Sequence, residues 1–577
     1  MLRKLLKYVG EYKKNSILAP IFISMEVLIE ITIPFFMANI IDKGLNKNDM
    51  NYIFFIGGFT FILTLLSMSF GLIAGKHSAR AASGFAKNIR KALFYKIQTL
   101  SFSNIDKFST ASLITRFTTD ISSIQNSYHM LIRVFIRAPF MIVFATLMAI
   151  YISARLSLIY IAAILFMSSM LAFIILFVYP IFSAAVKKYD NINSTLQENI
   201  AGIRVVKSYV KEEYEIEKFK EATENLKSNM LKGFKIVIFI SPLMQSTMYI
   251  CTLFLSWLGA KMIISETLTT GQLMSLFVYT SNILINLLML AMILVSISLS
   301  RVSAERIIEV LDEEGSIKNP DNPCYNIENA NIEFKNVNFS YTARPEFLNL
   351  KNINIRISQG EVIGIIGGIG SSKSAFVQLI PRLYDVMSGE ILIGNKNIKD
   401  YDLKTLRESI SIVLQKNILF SGTIKENLLW GNKDASDIEI INAAKIAQIH
   451  DFIENLPNKY DSYIDQGGVN LSGGQKQRLC IARALLKKPK ILILDDATNA
   501  LDSKTDEALR EALKKYLINT TKIIISQRIS SIKFSDRIIV LDEGEIVGLG
   551  NHEELLKNNF IYKEIYESQI DGGSENE

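Results

Sequence analysis

The sequence predicts a multidomain chain: an all-α six-helix transmembrane domain followed by an α/β P-loop domain. Three observations carry this. Long apolar segments crowd into the first 300 residues; a polar stretch with two prolines, "LDEEGSIKNPDNPCYNIENANIEF", follows; and from about 331 glycine-rich turns alternate with strand-like runs. At 577 residues the chain is too long for one hydrophobic core. Hydrophobic residues make up 49% and charged residues 21%, which fits a membrane half joined to a soluble half. The expected division is 1–310 for the membrane domain, 311–330 for a linker and 331–577 for the second domain.

The N-terminal "MLRKLLKYVGEYKKNS" is basic and amphipathic and lacks the apolar core and cleavage site of a signal peptide, so it reads as an interfacial lead-in helix. A membrane-crossing helix needs about 20 apolar residues. Six segments qualify, at roughly 16–42, 52–75, 128–153, 157–182, 234–262 and 271–298. The connections 76–127 and 183–233 are long, helical in pattern and dense in Lys and Arg, which assigns them to the cytoplasmic side of a cell membrane. "GKHSARAASGFAKNIRKALFYKIQTL" has helical periodicity without proline, so it extends its span beyond the bilayer; about 30 residues reach roughly 45 Å. A Ser, Asn and Asp cluster within 101–120 then turns the chain.

Charges inside the spans stand out. Glu26 and Glu30, four residues apart, share one face of the first helix and need either an aqueous substrate cavity or a partner on another helix. Arg133 and Arg137 repeat the spacing near the inner end of the third span, where snorkelling to the interface is expected. The net charge of +7 has no concentrated basic block, so it fits cytoplasmic loops against anionic headgroups and no nucleic-acid partner is expected. Three widely spaced cysteines give neither a disulfide framework nor a zinc pattern.

In the second domain a β-rich run feeds "GGIGSSKSA", Gly367, Gly368, Ile369, Gly370, Ser371, Ser372, Lys373, Ser374 and Ala375. This is a P-loop in which Ser372 stands where the second glycine belongs. Its backbone N–H groups cradle phosphate, Lys373 reaches the outer phosphates and Ser374 can hold Mg²⁺. If position 372 needs a positive φ, serine there introduces strain of about 1–3 kcal/mol. "LSGGQKQR", with Ser472, Gly473, Gly474 and Gln475, opens a helix as an anion-binding start, and "ILILDD" begins 13 residues after it.

With these motifs the sequence resembles ATP-binding cassette (ABC) proteins, and the six helices ahead of the cassette resemble their exporter class, over nearly the whole chain. The resemblance implies ATP and Mg²⁺ as ligands and the type I/type IV exporter fold. It implies that Gln415 in "SIVLQKN" is the Q-loop residue near Mg²⁺, that Tyr341 in "FSYTARP" stacks on adenine, and that "NALD" is the D-loop. The segment within 101–120 and another within about 208–215 resemble coupling helices. Asp495 takes the place of the Mg²⁺-holding acid. Each ATP of such a dimer lies between one chain's P-loop and the other's LSGGQ.

Two departures follow. Asp496 occupies the general-base position, where the family has Glu; it is one methylene shorter, and a shortfall of about 1 Å costs on the order of 10²-fold in rate. Gln527 in "TKIIISQRISSI" replaces the switch histidine and carries no positive charge toward the phosphoryl group. Ser372, Asp496 and Gln527 belong to one nucleotide site, whereas LSGGQ, which serves the other, is intact. The pattern resembles the degenerate-site subunit of bacterial heterodimeric multidrug exporters and implies a different half-transporter as partner. A homodimer, or an ATP-gated regulator without net transport, stays open, as does the nature of the small amphipathic substrate.

Overall fold

The computed structural model describes residues 2–342 and 344–574, and the chain forms two compact units. The first runs to Gln98 and resumes over Ser109–Glu313; the second joins Thr99–Phe108 to Glu314 and the residues beyond.

Among the described residues of the first unit, six helical stretches are long and apolar enough to cross a membrane: Leu6–Leu45, Met50–Thr99, Thr110–Ile152, Ala154–Phe182, Glu212–Ile264 and Thr270–Leu294. Each predicted span lies on one of them, overrunning its end by four residues at most, while four of the helices extend ten residues or more beyond the predicted bounds. The helix Met50–Thr99 has 50 residues, about 75 Å at 1.5 Å per residue, more than twice the hydrocarbon thickness. Phe54, Phe55, Phe61 and Leu72 on its outer face are exposed, an apolar surface that a bilayer covers. The core is built from helical-spaced residues, Ile23, Val27 and Ile31 against Met141, Ala145 and Ala149 and against Leu276, Tyr279 and Ile283. Its buried hydroxyls are satisfied: Tyr279 donates to the Ile31 carbonyl and Tyr160 to that of Leu276, both at 2.8 Å.

Three expectations are corrected in this unit. The lead-in is not one helix: Leu2–Leu5 passes into a 3-10 turn, Leu6–Tyr12, kinked where Gly10 takes φ 51°. Arg137 does not snorkel. Its guanidinium crosses to the first helix and pairs with Glu26 and with Glu30, the latter at 2.6 Å, because a single half-buried cation satisfies two carboxylates one turn apart. The Glu26 carboxylate also lies against Gly71, where a Cβ would come within 3.2 Å of it, so a residue without a side chain makes room for the acid. The second loop helix lies earlier than 208–215, at Ile203–Ser208. Gly202 ends the preceding helix, Val210 takes φ 52°, and Glu212, Glu213 and Glu215 favour a helix start at Glu212–Val237.

The second unit holds two main sheets. One is antiparallel, in the order Leu350–Ile357, Ile332–Phe339, Ser388–Ile393, Lys396–Asn397. The other has six strands in the order Glu545–Gly550, Arg537–Asp542, Val362–Ile366, Thr521–Ile525, Ile491–Asp495, Ile410–Val413. All but the Glu545–Gly550 edge pair in parallel, and their near-continuous Ile, Leu and Val runs suit a sheet covered on both faces. Ile525 pairs level with Ile365 on one side and Asp495 on the other, and Leu494 with Val413. The carboxyl ends of four neighbouring strands therefore share one edge, where such sheets bind ligands.

Thr99–Phe108 carries the short helix Phe102–Lys107, capped by Ser101 and Asn104, inside the predicted turn. Asn104 also accepts from the Ser316 N–H at 2.9 Å and donates to the Glu314 carbonyl at 3.1 Å, fixing this helix to the start of 314–331.

Candidate nucleotide site

The P-loop follows the strand Val362–Ile366 and opens the helix Lys373–Leu379. Gly367 is obligatory for space: a Cβ there would lie 2.0 Å from the Leu541 carbonyl oxygen. Gly370 takes φ 85° and Ser372 φ 66°, so the condition set by the sequence is met and serine sits in the left-handed region. Ile369 at the loop tip is fully exposed. Lys373 folds over the loop, donating to the carbonyls of Gly367 at 2.9 Å and Gly368 at 2.8 Å and to Ser371 Oγ at 3.2 Å. Burial pulls its ammonium below the ordinary lysine range, and the charges of Asp496 and Asp495 oppose this. Ala375 is buried in the core beside Phe376, which stacks on Phe334 at 4.4 Å and anchors the helix to the antiparallel sheet.

Asp495 ends its strand buried, with Oδ1 accepting from Ser374 Oγ at 3.2 Å. Burial raises its pKa, Asp496 adds to this, and Ser374 and Lys373 act in the opposite sense. Asp496 is also buried and takes φ 50°, a region that Asp enters far more readily than most residues. Its Oδ1 accepts from Asn499 Nδ2 at 2.9 Å, and its N–H donates to the Ile525 carbonyl at 3.1 Å. Sequence reasoning missed Gln477. This buried side chain reaches the Asp496 carbonyl at 3.5 Å and accepts from the Ala500 N–H at 3.1 Å, joining the signature helix to the acid strand and the D-loop.

The other predicted residues are distributed around this edge. Gln415 is exposed just beyond Ile410–Val413. Gln527 is exposed beyond Thr521–Ile525, and its carbonyl accepts from Gln569 Nε2 at 2.7 Å. Tyr341, at the end of Ile332–Phe339, is 42% exposed; its hydroxyl donates to Gln378 Oε1 at 2.9 Å. Burial, then the charges of Asp495 and Asp106, push its phenol up to about 12. Ser472 caps the helix Gly473–Leu486, receiving the Gln475 N–H at 3.3 Å while its own N–H donates to Gln475 Oε1 at 2.8 Å. Gly474 lets the Ala500 carbonyl approach, since a Cβ would meet it at 2.9 Å. Among the described residues no hydrogen bond or ion pair joins Ser472, Gly473, Gly474 or Gln475 to the P-loop. Glu26 and Glu30 belong to the other unit, where Arg137 holds them.

The donor set fits Mg²⁺ held together with a nucleotide. Ser374 Oγ and Asp495 offer a hydroxyl and a carboxylate side by side and would hold the ion, with nucleotide phosphates and water completing its shell.

A parallel sheet edge of this kind, in one chain with six membrane-length helices, defines a multi-pass membrane protein with a fused nucleotide-binding domain. Residues 16–288 match the family described as the ABC transporter transmembrane region, and residues 350–499 match the family described as ABC transporter. The chain is 36% identical over 569 residues to the uncharacterized ABC transporter ATP-binding protein YfiB of Bacillus subtilis, covering 99% of each. It is 30% identical to the ATP-dependent lipid A-core flippase of Desulfotalea psychrophila, covering 95% of this chain and 97% of the relative. Its fold is similar to the structure of a bacterial Atm1-family ABC exporter with ATP bound, with TM-score 0.84 and 22% identity over 96% of this chain and 99% of that one. The chain therefore belongs to the ABC transporter family, as an ATP-driven exporter half-transporter.

Proposed function

We propose that this half-transporter retains ATP at its own P-loop and hydrolyses it slowly, while its LSGGQ helix completes a faster site on a different half-transporter. One observation carries the reading: the binding groups Lys373, Ser374 and Asp495 are in place, whereas the general-base position holds a short Asp496 bound to Asn499. Ser472 and Gln475 cap an exposed helix start with no polar link to their own P-loop, which suits a role toward a second chain. Mg²⁺ held by Ser374 and Asp495 would supply charge neutralisation to the phosphates. Lys373 leaves the loop carbonyls to meet phosphate, Tyr341 supports adenine, Gln415 lies at the metal side, and Gln527 donates a neutral hydrogen bond where a histidine would add charge.

The substrate is a small amphipath. The lipid A-core flippase relative supports a lipid among the candidates, beside drugs and peptides. Glu26 and Glu30 line its path only where Arg137 releases them. The test is to express the chain with its genomic neighbours and identify what copurifies. A second ABC chain with Glu and His at the two altered positions supports the reading. Purification as a homodimer with full ATPase, or ATP binding without uphill substrate movement in vesicles, contradicts it.

A further inference from the structure

We infer that Tyr384 is a positioning residue for the base platform and that its hydroxyl, through Asp106, links occupancy of that platform to the loop helix Phe102–Lys107. This rests on reading Tyr341 as the surface that takes adenine.

Tyr384 lies in "PRLYD", just past the P-loop helix, and is buried. Tyr341 meets it edge-on, with ring centroids 5.1 Å apart at 86°, and meets Phe339 at 4.8 Å and 78°. Two perpendicular neighbours restrict the Tyr341 ring, and the Gln378 bond fixes its far end. A base that stacks must find its platform in one plane, so these contacts remove a rotational cost from binding. The other side of Tyr384 faces the loop segment: Phe102 lies 6.1 Å from its ring, and its hydroxyl donates to Asp106 Oδ2 at 2.6 Å, a charge-assisted bond.

The loop helix thus has anchors of two kinds among its described contacts. Asn104 binds the backbone at Glu314 and Ser316. Asp106 binds a tyrosine that touches the platform. In sequence the segment connects the helix Met50–Thr99 to Thr110–Thr115, so a change in its Asp106 anchor bears directly on the ends of two helices of the membrane unit.

The test uses the full transporter in nanodiscs, with two readouts. One is competition by ATP and by base-free tripolyphosphate against azido-ATP photolabelling of this chain; the other is amide hydrogen exchange over 99–108. Tyr384→Leu is expected to weaken ATP about fivefold and leave tripolyphosphate unchanged, because only the base uses the platform. Tyr384→Phe and Asp106→Asn are expected to hold ATP affinity within about twofold yet to abolish the slowing of exchange that ATP, but not tripolyphosphate, causes in the unsubstituted protein. An unchanged exchange response in Tyr384→Phe, or equal weakening of ATP and tripolyphosphate by Tyr384→Leu, overturns the inference. Tyr341→Ala separates the two levels. If it weakens ATP while the Tyr384 variants change nothing, the platform stands and the Tyr384 role falls; if it leaves ATP binding intact, the platform reading itself has failed. Should Tyr384→Leu not fold, the Tyr384→Phe and Asp106→Asn exchange measurements decide alone.

Discussion

Ser372 shows how a single residue sets the character of this site. At φ 66° its side chain opposes a conformation that glycine adopts freely, so Ser372→Gly is expected to raise stability by about 1 kcal/mol, read by denaturant unfolding with and without nucleotide. A loss of stability would show that the serine is not strained. Asp495 gives a pH signature. Its folded-state pKa is raised, so its favourable contribution to the nucleotide-free protein is complete below the ordinary carboxylate range, near 3.9, and disappears as pH rises through the folded value. If Asp495 holds Mg²⁺ as proposed, Mg²⁺-dependent nucleotide binding needs the carboxylate and has the opposite sense: it weakens as pH falls toward that raised value, approaching tenfold per unit below it. Magnesium titrations at a series of falling pH values should show this slope, and Asp495→Asn should flatten it. Asp496 combines two constraints in one residue: Asp is tolerated at φ 50° where a longer Glu is less so, and its carboxylate is already engaged by Asn499. The missing methylene and the backbone conformation therefore agree.

At the scale of elements, the triad of Glu26, Glu30 and Arg137 joins the first and third spans, with Gly71 of the second admitting the carboxylate. Arg137→Leu leaves two acids without their cation and is expected to cost on the order of 3 kcal/mol, seen as a lower melting temperature in detergent. Adding Glu26→Gln and Glu30→Gln should recover most of it; failure to recover would mean that Arg137 acts through packing instead. The spans were legible because 20 consecutive apolar residues are a signal few other structures share. The P-loop and signature were legible because glycine spacing and a Ser cap are local requirements of phosphate-binding turns. The partner of Arg137 was not, since it lies 107 and 111 positions away and an interfacial arginine has the same local sequence. Tyr384 and Gln477 escaped notice for a similar reason: each acts by contacts between distant segments of the α/β unit, and neither residue type carries a spacing signal for such contacts. Gly202 and Gly10 each interrupt a helix where periodicity alone continues it, which moved the second loop helix and broke the lead-in.

On the proposed reading, the whole molecule divides its chemistry between what this chain completes for itself and what it offers to a second one. Four strands bring the P-loop, Gln415, Asp495, Asp496 and Gln527 to one sheet edge, and Gln477 ties that edge to the signature helix. A site that binds but turns over slowly would keep the two nucleotide domains engaged while the other site cycles. The most direct measurement is steady-state ATPase of the copurified complex carrying Asp496→Ala, beside the complex with the partner's general-base glutamate replaced. The account predicts that Asp496→Ala leaves the rate within about threefold and that the partner substitution lowers it by about a hundredfold or more. A hundredfold collapse on Asp496→Ala alone would contradict it, because Asp496 would then be the working base.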